Sequence, residues 1–502
     1  MKDVMKEFLT TKRTFILVVF LGLFAMAARN VTDPDVWWHL KTGQYILEQG
    51  NVPHTDPFSF TRLGEPWVAH EWLTDLLFFG VFRASGWTGL ILFSAAVLSV
   101  AFFPLYLRCE GRPYLAGVLA LAAAWATAPL WGVRPQVISL VLGSLWLLLL
   151  ERSEQKPGLL LWTLPLTLLW VNLHAGFALG LVLLFLFVIG ELIEGILASA
   201  SLPAHRLRLL ALILVADLLI VPLNPNGLRM YSYPIQTLRS PAMQSYIVEW
   251  ASPNFHRQEY WPFLFLLLAV LAALAGISRS IRLRDLLLLI VATYAALCSI
   301  RMIPLFVLIA IPLLSVRLES LKPAQVATSR LVHPPPPNRT MLNAVIILGV
   351  ALFAIFHTFR VAQLQPQGEG RQFPAEAVAF LQDHLPVKRL FNDYDWGGYL
   401  IWKLYPPTRV FIDGRADVYG DKFLEQYWND YQLKDAWREN LSAWGIQAVI
   451  IPPDSSLATG LRLSPQWQIA YQDRKAIVLV VNPPAVDRRN GQQPQVVPSP
   501  PK

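Results

Sequence analysis

Charge is scarce in this sequence. Aspartate, glutamate, lysine and arginine make up 15% of its 502 residues, where soluble domains carry about 25%, and that shortfall excludes an ordinary soluble enzyme. Cysteine is almost missing. Cys109 and Cys298 both sit in or beside apolar segments, so neither a disulfide framework nor a cysteine metal site is available. Tandem repeats are absent. The first apolar run, 14–28, follows Lys2, Lys6, Lys12 and Arg13 but lacks a small-residue cleavage site before Asn30, so it reads as a retained span rather than a signal peptide. The formal charge of +8 does not imply nucleic acid as a partner. The basic residues form short clusters between apolar runs, which is the pattern of membrane orientation signals.

What the chain has in abundance is apolar sequence, at 54%. A bilayer span needs about 20 mainly apolar residues, and candidates centre on 14–29, 88–107, 114–131, 135–151, 158–173, 176–197, 207–223, 260–276, 283–299, 302–316 and 341–360. A further segment, 70–86, carries His70, Glu71, Asp75 and Arg83; it is either a short span or a helix in the interface. Charge bias separates the two. If 70–86 does not cross, the basic clusters at the N-terminus, Arg108/Arg112, Arg152/Lys156, Arg206/Arg208, Arg279/Arg282/Arg284 and 317–339 all face one side, which their excess makes the cytoplasm.

The expected fold is therefore mainly α: a polytopic transmembrane bundle of about eleven spans, with a cytoplasmic N-terminus and a small C-terminal extracytoplasmic α/β domain. Residues 1–317 form the transmembrane domain, with a first outer loop at 30–87, and 341–360 the last span. Between them 318–340, with its run from Pro334 to Pro337, is a cytoplasmic linker favouring extended polyproline II. The α/β domain covers 361–485, with strands at Arg409 to Asp413 and Ala448 to Pro452 and helices at 374–384 and 421–443. The tail 486–502, rich in Pro, Gln and Asn, is expected to be disordered.

Polar residues that are out of place converge on the outer side of this topology. Asp33, Asp35 and His39 follow the first span; Asp56, His70 and Glu71 end the first outer loop; Arg134, Asn172, His174, Asn224, Asn226, Glu249 and Arg301 lie at outer span ends. Asp33-Pro34-Asp35 opens an amphipathic helix, 36–49. There an acidic residue serves as a helix cap, as a base accepting a proton from an attacking hydroxyl, or as an oxygen ligand for a divalent cation. Asp35 and His39, four apart, share a face suited to proton transfer. Trp37 and Trp38 are expected to anchor this helix at the interface, with stacking on a sugar as the alternative. His174, in Trp170-Val-Asn-Leu-His-Ala-Gly176, is either a satisfied turn residue or a ligand contact. Arg134 and Arg301 interrupt apolar surroundings, so each either pairs with Glu249 or Asp217 or offers bidentate hydrogen bonds to a phosphate. In the C-terminal domain, Asn392-Asp-Tyr-Asp-Trp-Gly-Gly-Tyr399 and Arg409-Val-Phe-Ile-Asp-Gly-Arg415 form two turns. Trp396, Tyr399, Asp413 and Arg415 on them either bind an acceptor or pack the domain.

This arrangement resembles the GT-C superfamily of polytopic glycosyltransferases, which use lipid-phosphate-linked sugars. In that superfamily an acidic motif follows the first span, interface helices continue the first outer loop, and a soluble domain often follows the spans. Asp33-Pro-Asp35, 36–49 and 70–86 match those places, and the resemblance implies Asp35, with Asp33 as alternate, as the base or metal-contacting carboxylate. The oligosaccharyltransferase catalytic subunit is similar in its first-loop Asp-x-Asp, while its Trp-Trp-Asp-Tyr-Gly motif has only a partial counterpart in Asp395-Trp-Gly-Gly-Tyr399; peptide specificity is not carried over. The Trp-x-Asn-x-His hairpin resembles that of bacterial membrane proteins, which implies a bacterial inner (cytoplasmic) membrane.

The resemblance implies transfer of a sugar from a polyprenyl-phosphate or polyprenyl-diphosphate to a glycan, lipid or protein acceptor at the outer face, with inversion. Membrane lipids are the other expected partners. Arg134, Arg301 and His174 would bind the donor phosphate. His39, Asp56, His70, Glu71, Asn172, Glu249, Trp396, Tyr399, Asp413 and Arg415 would support the site or hold the acceptor. A divalent cation, Mg or Mn, could be held by Asp33, Asp35 and Asp56. Two other classes are a transporter or flippase, which needs charges such as Asp217 along a path through the bilayer, and a non-catalytic assembly factor.

Overall fold

The computed structural model describes residues 9–197, 204–321, 338–434 and 436–482. Most of the expected linker and the whole expected tail lie outside the described residues. The chain divides into two units, one made of Met1–Pro57, Arg62–Gln372 and Gly414–Glu425, the other of Phe58–Thr61, Phe373–Asp413 and Gln426–Lys502.

In the first unit each of the eleven apolar segments is helical. Among the described residues five helices are long and apolar enough to cross a membrane: Trp72–Arg108, Phe177–Leu197, Gln258–Gly276, Ile300–Ser320 and Arg339–Gln372. The protein is an integral membrane protein. Other apolar stretches are shorter, such as Thr11–Ala27, Gln136–Arg152 and Leu283–Cys298. Several begin or end in tight turns at a proline: Pro129 lies in Ala128–Leu130, Pro222 in Val221–Leu223, and Pro157 opens Pro157–Trp162.

The segment 70–86 runs into the following span as one 37-residue helical stretch, Trp72–Arg108, broken at Gly86 (φ 58, ψ −151). That backbone region is open essentially to glycine alone, so a single residue ends one helix and restarts the chain in a second. The last long helix also departs from expectation. It continues beyond 360 as far as Gln372, because buried Gln365 holds it to the chain after the first helix: Val31 N–H donates to Gln365 Oε1 at 2.7 Å, and Gln365 Nε2 donates to the Val31 carbonyl at 2.9 Å.

Arginines of the expected inner clusters are paired. Arg108 grips Glu151 through two hydrogen bonds of 2.6 and 2.9 Å and donates to the Leu308 carbonyl at 2.6 Å. Arg284 pairs with Glu154 at 2.5 Å and with Asp285 at 2.8 Å. Buried guanidiniums are tolerated where each finds such partners. Asp217 is likewise satisfied, accepting from Thr167 at 2.7 Å and Thr163 at 3.1 Å.

The second unit is built on a five-stranded sheet: β1 (Arg389–Asn392), β2 (Arg409–Val410), β3 (Ala448–Ile451), β4 (Trp467–Gln472) and β5 (Ile477–Val481), ordered β2-β1-β3-β5-β4. The first three are parallel, and β5 runs antiparallel to β3 and β4. β2 is shorter than the expected 409–413. Beyond Val410 the buried Asn392 side chain replaces the ladder, accepting from Phe411 N–H at 2.9 Å and donating to the Ile412 carbonyl at 2.8 Å. Along the other side of β2 run residues 58–61, with Phe60 N–H donating to the Val410 carbonyl at 3.1 Å. The helix expected over 421–443 is two, Asp421–Tyr431 and Trp437–Ala443, separated where Leu433 takes a positive φ of 61°.

Candidate active site

The site is built from the chain that follows the first helix. Asp33 turns back on its own backbone, its Oδ1 accepting the Asp35 N–H at 2.8 Å, while its other oxygen pairs with Arg134. Helix Val36–Gln49 begins directly after Asp35, which makes no side-chain capping bond. Its carboxylate accepts instead from Trp38 Nε1 at 3.1 Å. The cap reading therefore fails for Asp35, and Asp33 takes the local structural role.

Asp35 lines a cavity of about 300 Å³. Around the same cavity stand His39, His70, Glu71, Arg134, His174, Glu249, Arg301 and Arg415, together with Asp75, Ser139, Trp67, Tyr233 and Asp417. An apolar stretch of its wall carries Leu98, Leu140, Leu179, Leu183 and Leu308. The lining is thus partly ionic and partly hydrocarbon.

Burial, reinforced by the Asp33 carboxylate, pushes the Asp35 pKa up to about 7, Arg134 and His39 notwithstanding. His39 moves the other way: burial pulls it down, but Glu71 and Asp75 outweigh that and raise it to about 9. Its Nδ1 lies 2.6 Å from Asp75 Oδ1 and its Nε2 3.8 Å from Glu71. Glu71 is opposed by burial, yet His70 at 3.4 Å and His39 hold it ionised, well below the usual carboxylate range.

His174 is neutral. Burial drives its pKa down to about 3, and its Nδ1 accepts the Gly176 N–H at 3.0 Å with Ser139 Oγ 2.7 Å away. Those contacts assign the proton to Nε2, which faces Glu71 at 4.0 Å. Ser139 is itself fixed by Trp170 Nε1 at 2.8 Å. His174 therefore offers the cavity a hydrogen-bond donor and no charge.

Both expected arginines pair with Glu249. Arg134 bonds one carboxylate oxygen, and Arg301 the other at 3.0 Å while lying 4.9 Å over the Trp250 ring. Despite its burial, Arg134 is kept firmly charged by Asp33 and Glu249.

Residues Gly414–Asp417 close another wall. Arg415 pairs with Asp56 at 2.8 Å and lies 4.6 Å over Trp67, and Arg62 donates to the Tyr419 carbonyl at 2.7 Å. Gly414 rests against Asp35, where a methyl group would overlap the carboxylate oxygen and lie 3.4 Å from Trp38 Nε1. Asp417, pushed up to about 6 by burial, faces His70.

No protein-family model matches this chain, and no curated protein matches it in sequence. Its fold does have solved counterparts. ArnT from Cupriavidus metallidurans, bound to undecaprenyl phosphate, superposes with a TM-score of 0.51 over 95% of this chain and 98% of that one, at 16% identity. The archaeal oligosaccharyltransferase AglB from Archaeoglobus fulgidus, in complex with an inhibitory peptide and a dolichol-phosphate, gives 0.55 over 88% and 69%, at 11% identity. The fold is GT-C.

Within that shared fold, other expected site residues lie away from the cavity. Asp56 is committed to Arg415 and Asp33 to Arg134. The set Asp33, Asp35 and Asp56 is not assembled around a common point, and among the described residues no three His, Cys, Asp or Glu form a metal-binding group. Asn172 accepts from Trp72 Nε1 at 2.9 Å and so fastens the hairpin behind His174. Trp396 and Tyr399 are buried in the second unit, Tyr399 stacked on Phe373 at 5.0 Å, and Asp413 is fully buried there. These three pack their own unit rather than present a surface to an acceptor. Trp37 and Trp38 are not interface anchors either: Trp37 is buried against Trp87 at 4.9 Å, and Trp38 holds Asp35.

Asp75, Ser139, Trp67, Tyr233 and Asp417 are cavity residues absent from the expected set. Asp75 had a signal, since it sits four residues after Glu71, a spacing that puts both on one helical face. For Ser139 and Asp417 nothing in the sequence distinguishes them from ordinary helix and turn residues.

Proposed function

We propose that the protein transfers a glycosyl group from a polyprenyl-phosphate- or polyprenyl-diphosphate-linked sugar to an acceptor hydroxyl at the extracytoplasmic face of a bacterial inner membrane. The observation that carries this reading is the shared cavity of Asp35, poised near neutrality, with Arg134, Arg301 and a wall of leucines. The leucines suit the prenyl chain, and the guanidiniums suit the phosphate. Solved GT-C proteins holding undecaprenyl phosphate and dolichol-phosphate support the choice of lipid.

In the proposed step the acceptor oxygen attacks the anomeric carbon as Asp35 takes its proton. The carbon–oxygen bond to phosphate breaks, and its electron pair leaves with the phosphate. Arg134 and Arg301 stabilise that developing charge, and His174 Nε2–H adds a neutral hydrogen bond. Attack opposite the leaving group inverts the sugar carbon. A transport path gains nothing from Asp217, whose carboxylate is bound to two threonines.

The test supplies purified protein with radiolabelled polyprenyl-linked sugars and an envelope extract as the source of hydroxyl acceptors, and follows release of the lipid phosphate with transfer of label. Wild-type turnover of a donor is expected; failure to consume any donor across both phosphate classes counts against the enzyme reading. A second expectation follows from the tight fit of Gly414. In Gly414→Ala the added methyl displaces the Asp35 carboxylate, and a misplacement on the order of 1 Å costs about 10²-fold in rate. The measured kcat should fall by that factor with KM for the donor nearly unchanged.

A further inference from the structure

Glu249 lines the cavity and bridges its two arginines. Its two carboxylate oxygens are divided between Arg134 and Arg301, and its backbone carbonyl is held by Ser299 Oγ at 3.0 Å, so the main chain is fixed while the side chain reaches into the cavity. Arg301 Nε is buried and has no hydrogen-bond partner among the described residues. Two guanidiniums joined by one bridging carboxylate, with a donor to spare, form the geometry of a phosphate site already holding a substitute.

We propose that Glu249 is an internal stand-in for the donor phosphate, displaced when the lipid binds, and that it selects a donor carrying a single negative charge. This rests on the lipid-phosphate reading above and narrows it to the polyprenyl-monophosphate class. The charges decide the class. With Glu249 in place, Arg134 and Arg301 are balanced by Asp33 and Glu249. When Glu249 swings out, Asp33 still neutralises one guanidinium and the other is left for the ligand. A sugar phosphodiester brings one charge and restores the balance. A diphosphate diester brings two, and the surplus meets the Asp35 carboxylate across a small cavity with no spare countercharge among the lining cations, since His39 is held by Asp75 and Glu71, His70 by Glu71 and Arg415 by Asp56. Exchange of one carboxylate for one phosphodiester also keeps every guanidinium hydrogen bond paired through the binding step, which avoids leaving a buried cation bare.

The experiment is a calorimetric titration of detergent-solubilised full-length protein with two lipids: methyl undecaprenyl phosphate, which has one charge, and its methyl diphosphate counterpart, which has two. Wild-type protein is expected to bind the monophosphate at least tenfold tighter. Glu249→Gln is expected to bind both lipids at least tenfold tighter than wild type does, and to narrow the preference between them, although the unliganded variant melts at a lower temperature. A purely structural bridge behaves oppositely: its loss loosens the site and weakens both lipids. Equal or weaker binding by Glu249→Gln overturns the stand-in role, and wild-type preference for the diphosphate overturns the class even if the variant does not fold. If wild type and variant bind neither lipid, the lipid-phosphate reading itself falls, and this inference with it.

Discussion

Asp35→Asn is expected to lower kcat/KM by about 10²- to 10⁴-fold, the range supplied by a positioned general base. The substitution keeps the shape of the side chain and its bond from Trp38 Nε1, so donor affinity and thermal stability should hold near wild-type values. The pH profile makes the assignment sharper. A base must be ionised to accept a proton, and burial with Asp33 raises the Asp35 pKa to about 7. Wild-type kcat/KM should therefore rise with pH to a plateau above about 7 and fall tenfold for each pH unit well below it. The asparagine variant should lose that acid limb along with its rate. A variant that retains wild-type turnover, or a wild-type profile flat from pH 5 to 8, removes Asp35 from the role.

Asp56→Asn is expected to destabilise the protein by about 3–5 kcal/mol, because it strands a buried cation. The Arg415 and Asp56 side chains are 1% and 0% exposed, and their ion pair is 2.8 Å long. The cation–π contact with Trp67 at 4.6 Å does not replace a full countercharge. Replacing both members together, as Asp56→Leu with Arg415→Met, should cost much less, since a buried pair exchanged for apolar side chains is often near neutral. Equilibrium unfolding in detergent of the single and double variants reads the difference. A single variant as stable as the double one would show that the pair contributes nothing beyond its volume.

The helical part of the architecture was readable because its signals are local. Runs of apolar residues are long, and a bilayer imposes their length. Gly86 supplies the backbone geometry for a break between 70–86 and 88–107. Nine of the anticipated residues meet at one cavity, since charges that are costly in an apolar setting stand out there. Soluble sequence is less transparent. Trp396, Tyr399 and Asp413 look the same in a turn whether they face solvent or core, and only the packing of Phe373 and Gly397 against them tells which. Long-range placements were hidden for the same reason: no local pattern says that Gly414 meets Asp35, or that Gln365 fastens Val31.

The placement of Gly414–Glu425 in the first unit bears on biosynthesis. The cavity draws on residues from Asp35 to Asp417, so a chain emerging from the ribosome exposes its acidic first loop long before the wall that covers it exists. Until residues 414–417 have been made and delivered to the same side of the membrane, Asp35 has no backbone resting against it and Asp56 no countercharge. The pocket is thus completed late in synthesis, and a product cut short after Gln372 lacks residues 414–417 of its wall.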